Sequence, residues 1–565
     1  MILQALCRYY DALVRKEKAP VEGFAQAKCA YAAELNDSGG VLAILPLGNG
    51  DRANVTLTVP RPVVRSAGVK SNFLCDNPAY TFGLDCNGNE ERTRQCAEAY
   101  AALHHAVLDG CDSDAARAVL AFVDAPNRGA GEALTDNREG LLKGGSLVLS
   151  YRGAYVHDDP AVREAWSRYE AAQTPGRVMT CLVTGERLPV VSGHDKIKGV
   201  RNASTMGASL IAFNDYDAAE SYGLSAYENS PVSERASFAF TTALNALLSD
   251  REHQCYLGDA TVVYWAEDAD EGAQDFFAML MQAPADADKE LREAMENLRA
   301  GRPVGDFALD TPFCVLALSP NAGRVSVRFF LQNTLDDFVR HLQAHYDRLQ
   351  IAHAPYDPAY LKPWQLLREL ANQNSRDKLP PPTVSGAFLR AMLTNSRYPE
   401  ELLGAVILRI RAERAVPYGK AALIKAYLLQ NTSLTKEEIN VALNQASDNK
   451  PYLLGRLFSV LEQIQQSANP GINATIKDRF LASASATPGV VFPQLLRLQS
   501  AHMNKLNKGA QVYFGKQLGA ILGKLDVENA PFPAQLSLPE QGLFFLGYYQ
   551  QDQSRYEEKE DKSNG

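Results

Sequence analysis

The chain has 565 residues, of which 46 % are apolar and 22 % are charged, an ordinary globular composition with enough sequence for roughly three to four domains. Its 57 basic and 66 acidic residues leave a net charge of −9, which excludes a uniformly basic coat for nucleic acid, so any binding of phosphate has to be local. The nine cysteines form no CxxC pair and no apolar run reaches the roughly 18 residues that span a bilayer, which predicts a reduced, cytoplasmic protein that contacts no membrane.

The first part of the sequence mixes helical and strand patterns. MILQALCRYYDALVRKEK carries apolar residues at helical spacing and has no cleavage site, which predicts an N-terminal helix and no signal peptide. Ser230 and Pro231 predict the N-cap and first residue of a helix. Short β-rich runs predict strands, the last two joined by a hairpin loop at 319–323, at residues 41–47, 55–59, 146–151, 178–183, 260–265, 313–318 and 324–331.

Beyond about residue 345 the pattern is helical only. The prolines within 379–382 predict a linker, because they cannot continue a helix, and residues 557–565 predict a solvated tail. Helices are predicted at 400–413, 420–430, 453–466, 492–506 and 511–525. The predicted fold class is therefore α+β, with a mixed α/β domain over 1–345, a helical region over 346–440 and a C-terminal helical bundle over 441–565.

The first candidate site is a basic, amide-rich segment between residues 60 and 80. Asparagine amides can read base edges, and lysine can contact phosphate or guanine. The residues that carry this interpretation are Lys70, Ser71, Asn72, Phe73 and Asn77. The same composition is also typical of a turn-rich surface loop, and the residues alone leave both interpretations open.

The second candidate site is the segment HDKIKGVRN at residues 194–202, which holds three cations against one acid. Its glycine would let the backbone approach a phosphate closely, so we assign Lys196, Lys198, Arg201 and Asn202 to a nucleic-acid backbone. The tyrosines that follow fit either base stacking or burial, and they are Tyr216, Tyr222 and Tyr227.

The third candidate site is a stretch of 47 residues, 479–525, that contains no aspartate or glutamate. If residues 497–516 formed one helix, four cations would lie within about 100° of arc and make a basic ridge. These cations are Arg497, Lys505, Lys508 and Lys516. Such a ridge could contact a nucleic-acid strand or another subunit, or it could be an ordinary outer face.

No motif for chemistry stands out. The chain has neither GxxxxGK[ST] nor GxSxG, and His194 with Asp195 supplies only two of the ligands that a metal hydrolase needs. We therefore predict no catalytic residue, metal or cofactor. Residues 267–296 hold ten acids against two cations, and the sequence leaves open whether this block docks a partner or repels DNA.

Several stretches spread along the chain match one family in order. They are MILQALCRYYDAL, KSNFLCDNPAY with GLD, TG before HDKIKGV, LIAFND with ESYG, GDATVVYW, LSPNAGRVSVRF, RYP and YLLGRLFSVLE. In these stretches the chain resembles the large subunit of type I-C CRISPR Cascade.

This resemblance implies a non-catalytic subunit of an RNA-guided surveillance complex in antiviral defence, with guide RNA supplying sequence specificity. It would recognise a protospacer-adjacent motif (PAM) in double-stranded DNA, stabilise the R-loop and present the site to a helicase-nuclease. Its other partners would be the backbone, handle-binding and small Cascade subunits. The C-terminal bundle would resemble the small subunit, and an internal translation start near Val441 is a candidate.

The resemblance also places the motif reader at Asn72 and the displaced-strand or subunit contact at the C-terminal cations. Two other functions remain open at this point. One is a metal-dependent nuclease that uses His194 and Asp195, and the other is a scaffold that never touches DNA.

Overall fold

The computed structural model describes residues 1–48, 54–63, 65, 68–85, 88–126, 128–173, 177–213, 220–282, 288–376, 378–525 and 530–563. The chain forms two compact units, a first unit of Met1–Asp195 with Ile211–Ala243 and a second unit of Lys196–Leu210 with Leu244–Gly565. The last described strand ends at Thr334, and all secondary structure described after it is helical. This confirms the predicted α+β class with a helical C-terminal part. No described helix combines the length and hydropathy that a membrane crossing needs.

A six-stranded sheet organises the first unit. Its strands are β1 (Phe24–Leu35), β2 (Val41–Pro46), β3 (Val55–Pro60), β4 (Cys75–Asp76), β5 (Ser146–Tyr151) and β6 (Ala154–Tyr155). The long β1 pairs with β2 and β3 along one edge and runs parallel to β5 on the other, while β4 pairs antiparallel with β5. Because β4 pairs with β5, Cys75 and Asp76 in the first candidate site are part of the sheet. A separate hairpin consists of β7 (Val178–Thr180) and β8 (Arg187–Pro189).

The first unit also contains helices, most of which share a core with the sheet. They are α1 (Ile2–Arg15), α2 (Pro78–Thr81), α3 (Glu90–Leu108), α4 (Asp114–Asp124), α5 (Glu132–Leu142) and α6 (Pro160–Gln173). Aromatic side chains from several elements share one core, among them Phe73, Tyr100, Phe122 and Trp166. This core lies directly beneath the segment that carries the first candidate site.

The predicted start of the next helix is wrong by several residues. Helix α7 (Glu234–Ser249) begins after Ser233, whose hydroxyl accepts the Ala236 N–H at 3.3 Å, rather than after Ser230. The reason is a set of tertiary contacts. The Pro231 carbonyl accepts the Leu182 N–H at 2.9 Å, and the Val232 carbonyl accepts the Val191 N–H at 3.0 Å. Residues 231–233 therefore extend beside the β7–β8 hairpin instead of starting the helix.

The second unit contains an antiparallel sheet in the order β12-β11-β10-β9. The strands are β9 (Gln254–Leu257), β10 (Ala260–Ala266), β11 (Pro312–Asn321) and β12 (Arg324–Thr334), with α8 (Glu271–Gln282) and α9 (Asp288–Arg299) between β10 and β11. The β11–β12 loop is shorter than predicted, because Ala322 and Gly323 take φ of 41° and 88° and turn the chain in two residues. The acidic block spans α8 and α9, and its residues 283–287 lie outside the described residues.

The helical part follows β12. Its helices are α10 (Leu335–Leu349), α11 (Pro363–Arg368), α12 (Pro382–Thr394), α13 (Glu400–Glu413), α14 (Tyr418–Asn431), α15 (Lys450–Ala468), α16 (Ile476–Ala486), α17 (Pro488–Met503), α18 (Lys508–Leu522) and α19 (Leu538–Ser563). The predicted linker at 379–382 leads directly into a helix, since Pro382 is the first residue of α12, and Pro380 is buried. Helix α19 continues through Ser563, into the segment predicted as a solvated tail.

Candidate nucleic-acid interface

The first candidate site is a loop held by one buried carboxylate. Asp76 is 1 % exposed, and its two oxygens accept the backbone N–H groups of Asn72 and Asn77, both at 2.8 Å. The same carboxylate forms a close ion pair with Arg65. Burial raises the pKa of Asp76, while these donors act in the opposite direction. The carboxylate thus fixes both ends of the 72–77 segment.

Asn72 is a structural acceptor as well as a candidate reader. Its Oδ1 accepts the Val63 N–H at 3.0 Å, and its own carbonyl accepts the Ser71 hydroxyl at 2.9 Å. Lys70 is exposed, and its carbonyl accepts Arg65 Nε at 2.7 Å. Ser71 and Asn72 are half-buried. Lys70, Ser71 and Asn72 therefore lie together at the surface with a defined backbone.

Phe73 and Asn77 make their contacts within the protein. Phe73 is buried and stacks on Trp166, with ring centroids 4.9 Å apart. The Asn77 side chain caps α2 by accepting the Ala79 N–H at 3.1 Å. Phe73 thus supports the loop from the core, and Asn77 supports it through the cap of α2.

A buried histidine holds the turn that follows. Leu74 has a φ of 56°, an uncommon backbone conformation for a residue with a branched side chain, and its N–H donates to His104 Nε2 at 3.1 Å. The opposite nitrogen, Nδ1, donates to the Tyr100 carbonyl at 2.7 Å. Burial lowers the pKa of His104 to about 3, so the ring is neutral near pH 7 and can accept from Leu74.

The loop borders a cavity of about 730 Å³ in the first unit. Arg61 lies in its wall, 2.7 Å from Glu234 and 3.7 Å from Glu170. Burial raises the pKa of Glu170 to about 7, so this carboxyl is only partly ionised near neutral pH. A cavity rimmed by amine and amide groups can donate hydrogen bonds to base edges or phosphate. The sequence did not reveal Trp166, Tyr169 and Glu170, which line the cavity from α6, because no local motif marks them.

The second candidate site is a closed loop in the second unit. Ile197 and Ala208 exchange two backbone hydrogen bonds of 2.8 Å, which join the ends of the segment between them. Gly207, with a φ of 92°, lies against Lys196 and Lys198 so closely that a Cβ would stand 2.7 Å from the Lys196 Cβ. Lys196, Lys198, Arg201 and Asn202 are all exposed, so this loop presents its cations to solvent.

Two of these cations also have partners within the protein. Lys196 Nζ donates to the Ser209 hydroxyl at 2.6 Å, and the Arg201 guanidinium lies over the Tyr256 ring at 5.2 Å. Tyr216 lies outside the described residues, whereas Tyr222 in the first unit is almost fully exposed.

The third candidate site is not one helix. The Asn507 side chain caps α18 by accepting the Ala510 N–H at 2.8 Å, and Gln511 Nε2 donates to the Met503 and Leu506 carbonyls at 3.1 and 2.9 Å. These bonds end α17 and begin α18, which breaks the predicted continuous ridge. Its four cations are exposed and lie on α17, in the turn and on α18, as Arg497, Lys505, Lys508 and Lys516.

The hypothesis of a metal site at His194 and Asp195 gains no third ligand from the described residues. His194 Nδ1 lies 2.8 Å from the Ser237 hydroxyl, and Asp195 lies 4.0 Å from Arg61. Burial lowers the pKa of His194. Within the part of the chain that the structure describes, no three histidine, cysteine, aspartate or glutamate side chains form a group that could hold a metal ion.

Comparison with known proteins gives one match that spans almost the whole chain. The model of a family described as CRISPR-associated protein (Cas_Csd1) matches residues 6–556. No curated protein matches the chain.

Proposed function

Because the chain belongs to the CRISPR-associated Cas_Csd1 family, the large-subunit family of type I-C Cascade, we propose that it reads the protospacer-adjacent motif in double-stranded target DNA. It then stabilises the R-loop and helps to recruit a separate helicase-nuclease. Guide RNA supplies the sequence specificity, so the protein needs no catalytic residue for this role. The proposal includes a cytoplasmic location and contacts with the backbone, handle-binding and small subunits.

The observation that carries this proposal is the fixed presentation of Lys70, Ser71 and Asn72 at the cavity rim. Asn72 Oδ1 accepts the Val63 N–H, and this hydrogen bond fixes the plane of the side-chain amide and with it the direction in which Nδ2 can donate. Among the described residues, Asn72 Nδ2 has no hydrogen-bond acceptor. We therefore assign Nδ2 as a single donor to a base-edge acceptor, with Lys70 contacting phosphate or guanine, and Phe73 and Asn77 supporting the loop.

The experiment that tests this assignment is the substitution Asn72→Ala in the assembled complex. We expect binding to duplexes that carry the motif to weaken by about 1 to 3 kcal/mol, because alanine cannot donate a hydrogen bond to the base edge. Affinities for duplexes with and without the motif are compared at one fixed salt concentration. Asn72→Asp is the matched variant, since it keeps an acceptor for Val63 N–H but has no donor, and it should lose the same discrimination. If both variants keep their preference for the motif, the assignment of Asn72 is wrong.

We assign the second loop to a nucleic-acid backbone. Replacing Lys196, Lys198 and Arg201 by glutamine should flatten the salt dependence of DNA binding, by about 0.9 in log–log slope for each duplex phosphate that a cation no longer neutralises. The matched control replaces the exposed cations Lys289 and Arg292 of the acidic block, which should leave the slope unchanged. An unchanged slope in the triple variant would remove this loop from the interface.

We assign the C-terminal cations to the displaced strand or to a neighbouring subunit. The absence of acids over residues 479–525 supports this assignment, because an approaching phosphate or carboxylate meets no repulsion from side chains of that stretch. The break between α17 and α18 divides the cations between two short surfaces rather than one ridge.

A further inference from the structure

An aromatic cleft of about 860 Å³ in the second unit plays no part in the proposed reading of DNA. Five aromatic side chains line it: Tyr356, Trp364, Tyr418, Tyr549 and Tyr556. Three of them are unusually accessible, with Tyr356 at 89 %, Tyr556 at 54 % and Trp364 at 43 % exposure. Exposed aromatic residues grouped in a concave surface are typical of interaction sites.

Hydrogen bonds within the protein hold two of the aromatic rings of the cleft in place. The Tyr418 hydroxyl donates to the Pro358 carbonyl at 3.2 Å, and the Tyr549 hydroxyl donates to the Ala352 carbonyl at 2.8 Å. The Tyr418 ring also packs against the tilted ring of His353, with centroids 4.7 Å apart. These contacts fix two of the rings before any ligand arrives, which lowers the entropy cost of binding.

The charged residues in the lining are mostly acidic. Asp357, Glu369 and Asp552 contribute three carboxylates, and Arg368 is the one lysine or arginine among the described lining residues. Glu369 lies 3.8 Å from Lys420, which makes a closer pair with Glu413.

These carboxylates are incompletely compensated. Burial raises the pKa of both Glu369 and Asp552, although Lys420 acts against the shift in the first and Arg555, at 2.8 Å, acts against it in the second. A cation that entered the cleft would lower the free energy of the ionised carboxylates. A phosphate backbone would be repelled by the same groups.

We propose that this cleft binds an arginine side chain presented by a protein partner. A guanidinium stacks on tryptophan and tyrosine rings and donates several hydrogen bonds to carboxylates, which matches the two kinds of group in the lining. Lysine has one compact, more strongly hydrated ammonium and fits the aromatic walls less well. The charge of the lining selects a basic protein segment over nucleic acid.

The three tryptophans of the chain allow a direct test. Trp166 and Trp265 are buried, at 4 % and 0 % exposure, and Trp364 lies in the cleft. The full-length protein labelled with 5-fluorotryptophan should give three fluorine resonances, of which Trp364→Phe identifies one. Titration with a blocked Gly-Arg-Gly peptide should shift that resonance saturably and leave the other two in place.

Matched peptides and variants define the outcome. The citrulline analogue has the same shape without the charge and should bind about tenfold more weakly or not at all, with Gly-Lys-Gly between the two. Tyr356→Ala and Asp357→Asn should each weaken the arginine peptide severalfold, whereas Tyr222→Ala, an equally exposed tyrosine of the first unit, should not. No shift at Trp364, equal binding of the citrulline peptide, or stronger binding of an oligothymidine would overturn the proposal.

Discussion

We expect Gly455→Ala to lower the free energy of unfolding by about 3 kcal/mol, although alanine is the better helix former. Gly455 lies inside α15, where a Cβ would stand 1.9 Å from the carbonyl oxygen of Phe544 on α19. Gly547 on α19 makes the reciprocal approach, with its Cβ position 2.2 Å from the Tyr452 carbonyl oxygen. A backbone atom of a helix cannot move away by changing a rotamer, as a flexible side chain can. The two helices would therefore have to separate, which loosens the apolar packing between them.

The matched control is Gly515→Ala in α18. Apart from its own helix backbone, no heavy atom of the described residues lies within 4 Å of the Cβ position there, so alanine should stabilise the helix by up to about 1 kcal/mol. Urea denaturation followed by circular dichroism compares the two variants with the parent protein. Midpoints that shift in the same direction for both variants would contradict the close approach of α15 and α19.

Strongly periodic helices could be predicted from the sequence. The range 400–413 matches α13 and 453–466 lies within α15, because each carries an apolar face long enough to determine its own state. The central strand β1 was not predicted. Its sequence, FAQAKCAYAAEL, is rich in alanine and has low β-propensity, so pairing with β2, β3 and β5 decides its conformation.

Prediction of the first candidate site from the sequence is limited for a similar reason. The sequence identifies the composition of the 70–77 loop but not which side chains face outward. Phe73 turns inward because Trp166, far along the chain, offers a stacking surface, and Asn77 is used as a helix cap. Lys70, Ser71 and Asn72 are the polar residues of this loop that line the cavity, so the contacts of each side chain divide a motif that looks uniform in sequence.

We expect Asp76→Asn to cost about 3 kcal/mol of unfolding free energy and to reduce discrimination between DNA with and without the motif as far as Asn72→Ala does. Asp76 Oδ2 accepts the Asn72 N–H and pairs with Arg65, while Oδ1 accepts the Asn77 N–H. An amide has one oxygen, so its NH2 group would face a buried N–H donor and leave that donor unsatisfied. The loop would then lose the bonds that position Asn72.

Two comparisons separate positioning from general destabilisation. Asp37 also accepts from an arginine, Arg152 at 3.1 Å, but its side chain is 76 % exposed, so Asp37→Asn should lower the free energy of unfolding much less than Asp76→Asn and leave motif discrimination intact. Under conditions where Asp76→Asn remains folded, adding Asn72→Ala should cause no further loss of discrimination, because Asp76 acts on DNA recognition through Asn72. An additional loss in the double variant would mean that Asp76 supports DNA contacts beyond this side chain.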